Sequence, residues 1–217
     1  MVMGTSYNPR IVTDGLTLCL DPGNIRSYPK TGTDYTNLAG VGNGVLYNGV
    51  SFDSNNVGSF NFDGSNDYIQ VGSQASIMSS TAYTKVAWFN ASAYRYNIIS
   101  SDGNGHAFWL AGTNKLNAGH AGSWTRVTST TTIDLNTWYC GAVTFNTTTG
   151  WVLYLDGKQE ATNGNTGSFS ASQLNIGAHN AGSNLFQGKI STCLIYNRVL
   201  SPDEIRQNYL ATKERYA

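Results

Sequence analysis

Charge is scarce in this chain of 217 residues. Asp, Glu, Lys and Arg together make up 12% of it, about half the share usual in soluble domains. The balance is even, with 13 basic and 13 acidic residues and a formal net charge of zero. No basic stripe runs along the sequence, which excludes a nucleic-acid partner held through phosphates. A neutral chain has little self-repulsion, so a homo-oligomer is compatible with it. Proline is rare, at 4 residues. No apolar run approaches the roughly 20 residues that span a bilayer as a helix, so membrane insertion is not expected. Residues 1–14 hold no basic start followed by an apolar stretch, so no secretory signal is expected. Three cysteines, Cys19, Cys140 and Cys193, are an odd number, which excludes a fully paired intrachain framework. Each sits in an apolar, strand-like stretch and reads as a buried thiol.

Aromatics and turn formers fill the space that charge leaves. Phe, Trp and Tyr make up 12% of the chain, and there are 24 glycines. Short apolar runs alternate with Gly/Asn clusters almost throughout, as in an all-β protein. Gly15 to Leu20 is the first run, ended by Asp21-Pro22-Gly23-Asn24. Residues 25–48 read as a crossover carrying short strands. Phe60 to Val71 reads as strand, turn, strand around Gly64-Ser65-Asn66-Asp67. From Tyr83 onward, Thr84, Val86 and Trp88 share one strand face by the period of two. Tyr96–Ser101, His106–Ala111 and Lys115–Gly119 are three further strands. The Thr-rich stretch Val127–Ile133 predicts an exposed strand. Trp138 to Phe145 is apolar on both faces and predicts a central strand. Trp151–Leu155 and Lys158–Glu160 flank Asp156-Gly157, a type I′ hairpin signal. Leu174–Ala178 and Lys189–Tyr196 supply the last strands. Ser201-Pro202-Asp203-Glu204 is a capping box with proline at the first helical position, and it predicts one short helix. Its Ile205 and Tyr209 can face the sheet.

Five stretches carry a resemblance: FNFDGSNDYIQV (60–71), YNIISS (96–101), WYCGAVTF (138–145), GWVLYLDGK (150–158) and GKISTCLIYNRVLSPDEIRQNY (188–209). Their order and content resemble the laminin-G-like and pentraxin-like domains of the concanavalin A-like class. The last is the most specific: a strand, Tyr-Asn-Arg, then a Leu-Ser-x-Asp-Glu-Ile helix start. The resemblance implies a two-sheet antiparallel β-sandwich, a jelly roll, with one short C-terminal helix. It implies a single domain over 1–217, with its core at about 12–212 and a short N-terminal arm at 1–11. The opening GLTLCLDPGNIRSY (15–28) and the tail NYLATKERY (208–216) also resemble laminin-G-like domains of bacteriophage virion proteins, in fibres, appendages or head decorations. That implies a virion structural protein on the particle surface, attached to other virion proteins, to a host-surface glycan, or to both.

The residues for catalysis are few. Glycosidases on this fold use paired carboxylates, and the chain has only three glutamates, Glu160, Glu204 and Glu214. One follows a hairpin turn, one belongs to the helix cap and one lies in the tail. Asp63 and Asp67 read as turn formers. No nucleophile elbow is present. A non-catalytic protein is therefore expected, with a stand-alone carbohydrate-binding lectin as the alternative and a glycoside hydrolase third.

Candidate ligand residues cluster in the middle of the chain. His106, His120 and His179 stand at strand ends beside Gly or Asn. They read as separate hydrogen-bonded histidines, as ligand contacts, or as a shared zinc site, although none has a second ligand at i+2 or i+4. Trp109, Asn117, His120 and Trp124, with Asp102 and His106, offer an aromatic platform beside hydrogen-bonding groups, and Asn180 beside His179 is a further candidate contact. If the Trp109 and Asn117 strands pair, their side chains share a face. The competing reading puts Trp109 in the core and Trp124 over a sheet edge. The pentraxin resemblance implies a loop calcium site, for which Asp102 and Asn104 are the available oxygens. An ordinary Asp/Asn/Gly turn is the alternative there. No other cofactor is implied.

Overall fold

A period of two runs through most of the strands, and it divides the chain into two facing sheets. The computed structural model describes residues 9–73, 77–102, 105–110, 112–120, 122–167, 169–170, 173–180 and 182–216. Strands are numbered in chain order. The larger sheet has eight: β1 (Leu16–Leu20), β4 (Ser51–Asp53), β5 (Ser59–Asp63), β7 (Ala82–Ala91), β12 (Trp138–Asn146), β13 (Gly150–Leu155), β14 (Lys158–Asn163) and β16 (Gln187–Tyr196). Its order is β14-β13-β12-β7-β16-β5-β4, with β1 also paired to β16. The apolar stretch at 138–145 is central, between β13 and β7, as its two apolar faces require.

The opposing sheet joins β2 (Asp34–Tyr35), β3 (Gly44–Tyr47), β6 (Tyr68–Ser73), β15 (Gln173–Ile176) and β8 (Ile99–Ser101). Three more strands, β9 (His106–Leu110), β10 (Leu116–His120) and β11 (Ser123–Thr128), extend it. The junction is made by Ile98 N–H to Phe108 O at 2.8 Å, Leu110 N–H to Tyr96 O at 2.9 Å, and an Asn97–Trp109 bridge. The pairings are antiparallel throughout. This is the expected concanavalin A-like sandwich.

Tyr83, Phe89, Val143, Phe145 and Leu153 from the large sheet meet Ile69, Leu174, Phe108, Leu110 and Leu116 from the other in one buried cluster. Gly141 sits where the sheets come closest. A β-carbon there would lie 2.8 Å from Phe108 Cζ and 3.0 Å from Leu116 Cδ2.

The outer face of the large sheet is covered in turn. Val86 and Trp88 of β7 pack with Leu194, Tyr196, Ile205 and Tyr216. The helix α1 (Pro202–Thr212) lies over them, with its capping box formed on both sides. Glu204 accepts the Ser201 amide at 2.8 Å and grips the Arg198 guanidinium at 2.6 and 3.0 Å. Arg198 holds the Glu204 carboxyl down to about 2. The N-terminal side is tied to this layer through Val12, whose amide donates to Asn208 and whose carbonyl accepts from Tyr196 Oη. The three cysteines are free and buried, and burial pushes the Cys19 thiol up to about 11. No helix among the described residues is long and apolar enough to cross a membrane.

Two local expectations change. The Thr-rich strand lies earlier, at 123–128, because Thr130 and Thr131 turn out of the sheet to bind Glu160. Their two amides and two hydroxyls reach that carboxylate at 2.6–2.9 Å. Phe60 to Val71 is strand, turn, strand, but the two strands enter different sheets. Asp63 accepts the Ser65 and Asn66 amides to make the turn.

The tight approach at Gly141 yields a test. Gly141→Val places methyl groups into Phe108 and Leu116, and overpacking of this kind costs about 1–3 kcal/mol or more. A lower urea midpoint is expected. A midpoint equal to the parent's would show that the sheets can separate there without loss.

Candidate functional site

Strands β9 and β10 each bury one face and offer the other. On β9, His106, Phe108 and Leu110 point into the core, and Ala107 and Trp109 point away. On β10, Leu116, Ala118 and His120 point in, and Asn117 points away. Trp109 and Asn117 are direct cross-strand partners, so they share the outer face as the sequence suggested. Trp109 is half-buried and not part of the core cluster.

A cleft of about 240 Å³ opens on this outer face, lined by Tyr96, Asn97, Ala107, Trp109, Trp124, His179 and Asn184. The Trp109 indole N–H donates to the Trp124 carbonyl at 2.9 Å, which ties the two tryptophans together. The His179 ring meets Trp124 edge-on, with centroids 5.0 Å apart. Glycine at 119 makes this possible, because a β-carbon there would overlap the backbone of Ser123 and Trp124. Register between β10 and β11 shifts at the same place. The far wall is the segment that follows β15. It is held by Phe186 N–H to Gly177 O at 2.8 Å and by Asn175 Nδ2 to His179 O at 2.9 Å. Asn97 is fixed by Ser100 Oγ at 2.5 Å and by the Asn184 carbonyl at 3.3 Å.

The candidate residues thus separate. Trp109, Trp124 and His179 come together in the cleft. Asn117 lies beside Trp109 but is buried, with its amide spent on the Lys115 carbonyl and the Thr128 hydroxyl. Asn180 is exposed next to His179. Asp102 is half-buried and accepts the Gln173 amide at 3.0 Å. Asn104 lies outside the described residues. Among the described residues no three His, Cys, Asp or Glu side chains gather as a metal cluster would require.

His106 and His120 need correction as ligand residues. They are cross-strand partners and both face the core. Period two carries them inward on the strands that carry Trp109 and Asn117 outward. His120 Nε2 meets Tyr83 Oη at 2.9 Å, and its Nδ1 meets the Gly167 carbonyl at 3.0 Å. His106 Nδ1 contacts the ε-amine of Lys85, a fully buried lysine that also donates to the Ile99 carbonyl at 3.0 Å. Burial pulls Lys85 and His106 well below their usual values, and pulls His120 down to about 3. Both histidines are neutral at pH 7. Burial also lowers His179, against the opposing pull of Asp102.

Tyr96, Asn97 and Asn184 were not singled out from sequence. Asn97 was within reach, since Ile98 faces the core and its neighbour must face out. Asn184 carries no sequence signal, because a loop brings it across 87 residues to Asn97. A second cleft of about 240 Å³ lies on the opposite side of the molecule, lined by Trp88, Trp138, Asp156, Tyr209, Lys213, Glu214 and Tyr216. Its rings are spent on one another: Trp88 stacks on Tyr216 at 4.1 Å and on Tyr209 at 5.8 Å.

Fold and cleft together define a lectin-like jelly roll with an aromatic-lined depression on one sheet. The family model described as the concanavalin A-like lectin/glucanases superfamily matches residues 63–206, and the chain belongs to that superfamily. No curated protein matches it in sequence. Among solved structures it is similar to Trypanosoma rangeli sialidase, with 16% identity and a TM-score of 0.71 over 97% of this chain and 36% of that one. It is also similar to the binding domain of Paraclostridial Mosquitocidal Protein 1, with 16% identity, a TM-score of 0.72 and coverage of 91% and 52%. The binding domain of botulinum neurotoxin serotype D/C gives 15%, 0.70, 91% and 53%. The chain thus spans about a third of the sialidase and half of the toxin domains. At such identities the likeness is one of fold.

One expectation is overturned by these structures. The sparse carboxylates suggested a protein without catalysis, yet a sialidase chain contains this fold over nearly the whole length of the present one. A count of glutamates is also the wrong measure for that chemistry, because sialidases use a tyrosine nucleophile in place of the usual carboxylate.

The buried bases make stability depend on pH. The unfolded chain takes up protons on His106 and His120 as pH falls through about 6.5, while the native imidazoles stay neutral. The native state then binds fewer protons, so stability falls from pH 7 towards pH 5. Lys85 acts in the same sense at higher pH, adding stability as pH rises towards about 10.5. A lower urea midpoint at pH 5 than at pH 7 is expected. Lys85→Met should match or exceed the parent at pH 7 and lose much of the alkaline gain. A flat profile in the parent would contradict the neutral buried histidines.

Proposed function

We propose that this chain is a glycan-binding domain that holds a saccharide in the cleft between Trp109, Trp124 and His179. The observation that carries the reading is the pairing of two half-buried indoles on an outer sheet face with Asn97, Asn184 and His179 around them. Such a site offers a flat apolar face for the C–H side of a pyranose and polar groups at its edge for the hydroxyls. Pockets that combine an apolar wall with a few placed polar groups are the usual small-ligand sites. The binding domains of two toxins share the fold, which supports a recognition role.

The setting we propose is a bacteriophage particle, where the domain would attach to other virion subunits and reach a host-surface glycan. The phage-like opening and tail of the sequence support it. Detection of the chain in purified virions by mass spectrometry is the expected result, and its absence from them would remove the setting while leaving glycan binding untouched.

A second reading is favoured by the sialidase likeness: the chain acts on glycans as well as binding them. Release of a fluorescent aglycone from a sialoside or β-glucoside by the purified chain would establish it.

Calorimetry tests the site itself. Trp124→Ala and Trp109→Ala should each weaken glycan binding tenfold or more, about 1.4 kcal/mol, with unchanged thermal unfolding for Trp124→Ala. His106→Gln should leave affinity unaltered, since that side chain is inside. Binding that disappears in chelator would point instead to a calcium site at Asp102 and Asn104. Full affinity in Trp124→Ala would remove the cleft as the site.

A further inference from the structure

We infer that the cleft selects an uncharged pyranose and discriminates against sugars that carry a carboxylate, sialic acid among them. The inference rests on the glycan reading of the same cleft and adds the class of sugar.

Three stretches of chain build the cleft, and they are almost without charge. Within 96–114 the only ionised residue is Asp102, and within 116–125 and 161–188 there is none. The lining itself consists of aromatic, Asn, Ala and His side chains. Gly103, Asn104, Ala111, Ala121, Ser168, Ala171, Ser172 and Ala181 belong to these stretches and lie outside the described residues, but none of these residue types carries a charge. The uncharged character of the lining therefore does not depend on where they sit.

A sialic acid or uronic acid brings a carboxylate that must leave water. Desolvation of an ion costs several kcal/mol unless a partner replaces its hydration. Arginine is the usual partner, through two parallel N–H bonds. Among the described residues no lysine or arginine lines the cleft. The lone imidazole is no substitute, because burial keeps His179 neutral at pH 7. The charge that His179 does sense most strongly is Asp102, which is negative and repels an anion. Two arginines flank the lining residues in sequence: Arg126, two residues beyond Trp124, which is not among the lining residues, and Arg95, whose guanidinium lies 5.9 Å from the Tyr96 ring centroid. Arg95 rests on Tyr96 and is not part of the lining.

A neutral hexose or N-acetylhexosamine meets none of these penalties. Its C–H face can lie on an indole, and its hydroxyl or amide groups can bond to the Asn184 amide and the His179 ring. Nε2 of His179 is a buried nitrogen with no partner among the described residues.

The test uses the intact chain on an array of matched glycan pairs, each with and without terminal sialic acid, followed by calorimetry on the best pair. The neutral member should bind at least tenfold tighter. Its affinity should change less than twofold between about 0.05 and 0.5 M salt, because screening acts only on charge. Arg95→Ala should leave that affinity within twofold. Tighter binding of the sialylated member, or binding that collapses with salt or with Arg95→Ala, would overturn the inference while leaving the glycan reading in place. No binding to any member of the array would overturn both.

Discussion

The strict alternation of β9 and β10 is the constraint on which the site depends. Each strand must give one face to the shared core, and the residues between are committed to the other side. His106, Phe108 and Leu110 go in, so Trp109 must come out. Leu116, Ala118 and His120 go in, so Asn117 must come out beside it. A slip of one residue would exchange the two sets, burying Trp109 and exposing the Lys85-linked histidine. The indole at the surface and the neutral base in the core are therefore two results of one register.

That register is defended from both sides. Gly141 on the large sheet leaves room for Phe108, so the second sheet can approach closely. Gly119 on β10 lets the backbone of Trp124 pass, so β11 can carry its indole to Trp109. The cluster of Tyr83, Lys85, His106 and His120 fills the end of the core with polar groups that bond to one another and to nearby carbonyls, with His106 Nε2 the one of them left without a partner among the described residues. A buried polar network of this kind stabilises little by itself but disfavours other packings.

Much of the fold was legible in the sequence because its signals are local. The Asp156-Gly157 hairpin, the Ser201 capping box and the apolar stretch at 138–145 each depend on a few adjacent residues, and each formed as read. The site was half legible. Period two on 106–111 and 115–119 is visible in the sequence, but which alternate set faces inward is decided by the core, and the chemistry of the histidines alone points to a ligand role. Trp124 reached the cleft through a register shift beside Gly119, which no alternation pattern reports. Asn184 reached it through a loop whose path is set by tertiary packing. The Thr-rich strand lies earlier than its composition predicts for the same kind of reason, since the Thr130 and Thr131 hydroxyls are recruited by Glu160 from a hairpin about 30 residues away.

The five tryptophans report on the central claim directly, because they occupy different faces. Trp109 and Trp124 line the cleft, Trp88 and Trp138 lie under the helix side, and Trp151 is in the core. Titration of the intact chain with a neutral oligosaccharide, followed through the indole N–H resonances, should move Trp109 and Trp124 together and leave the other three in place. Shifts confined to Trp88 and Trp138, or none at saturating sugar, would contradict the assignment of recognition to the outer face of β9 and β10.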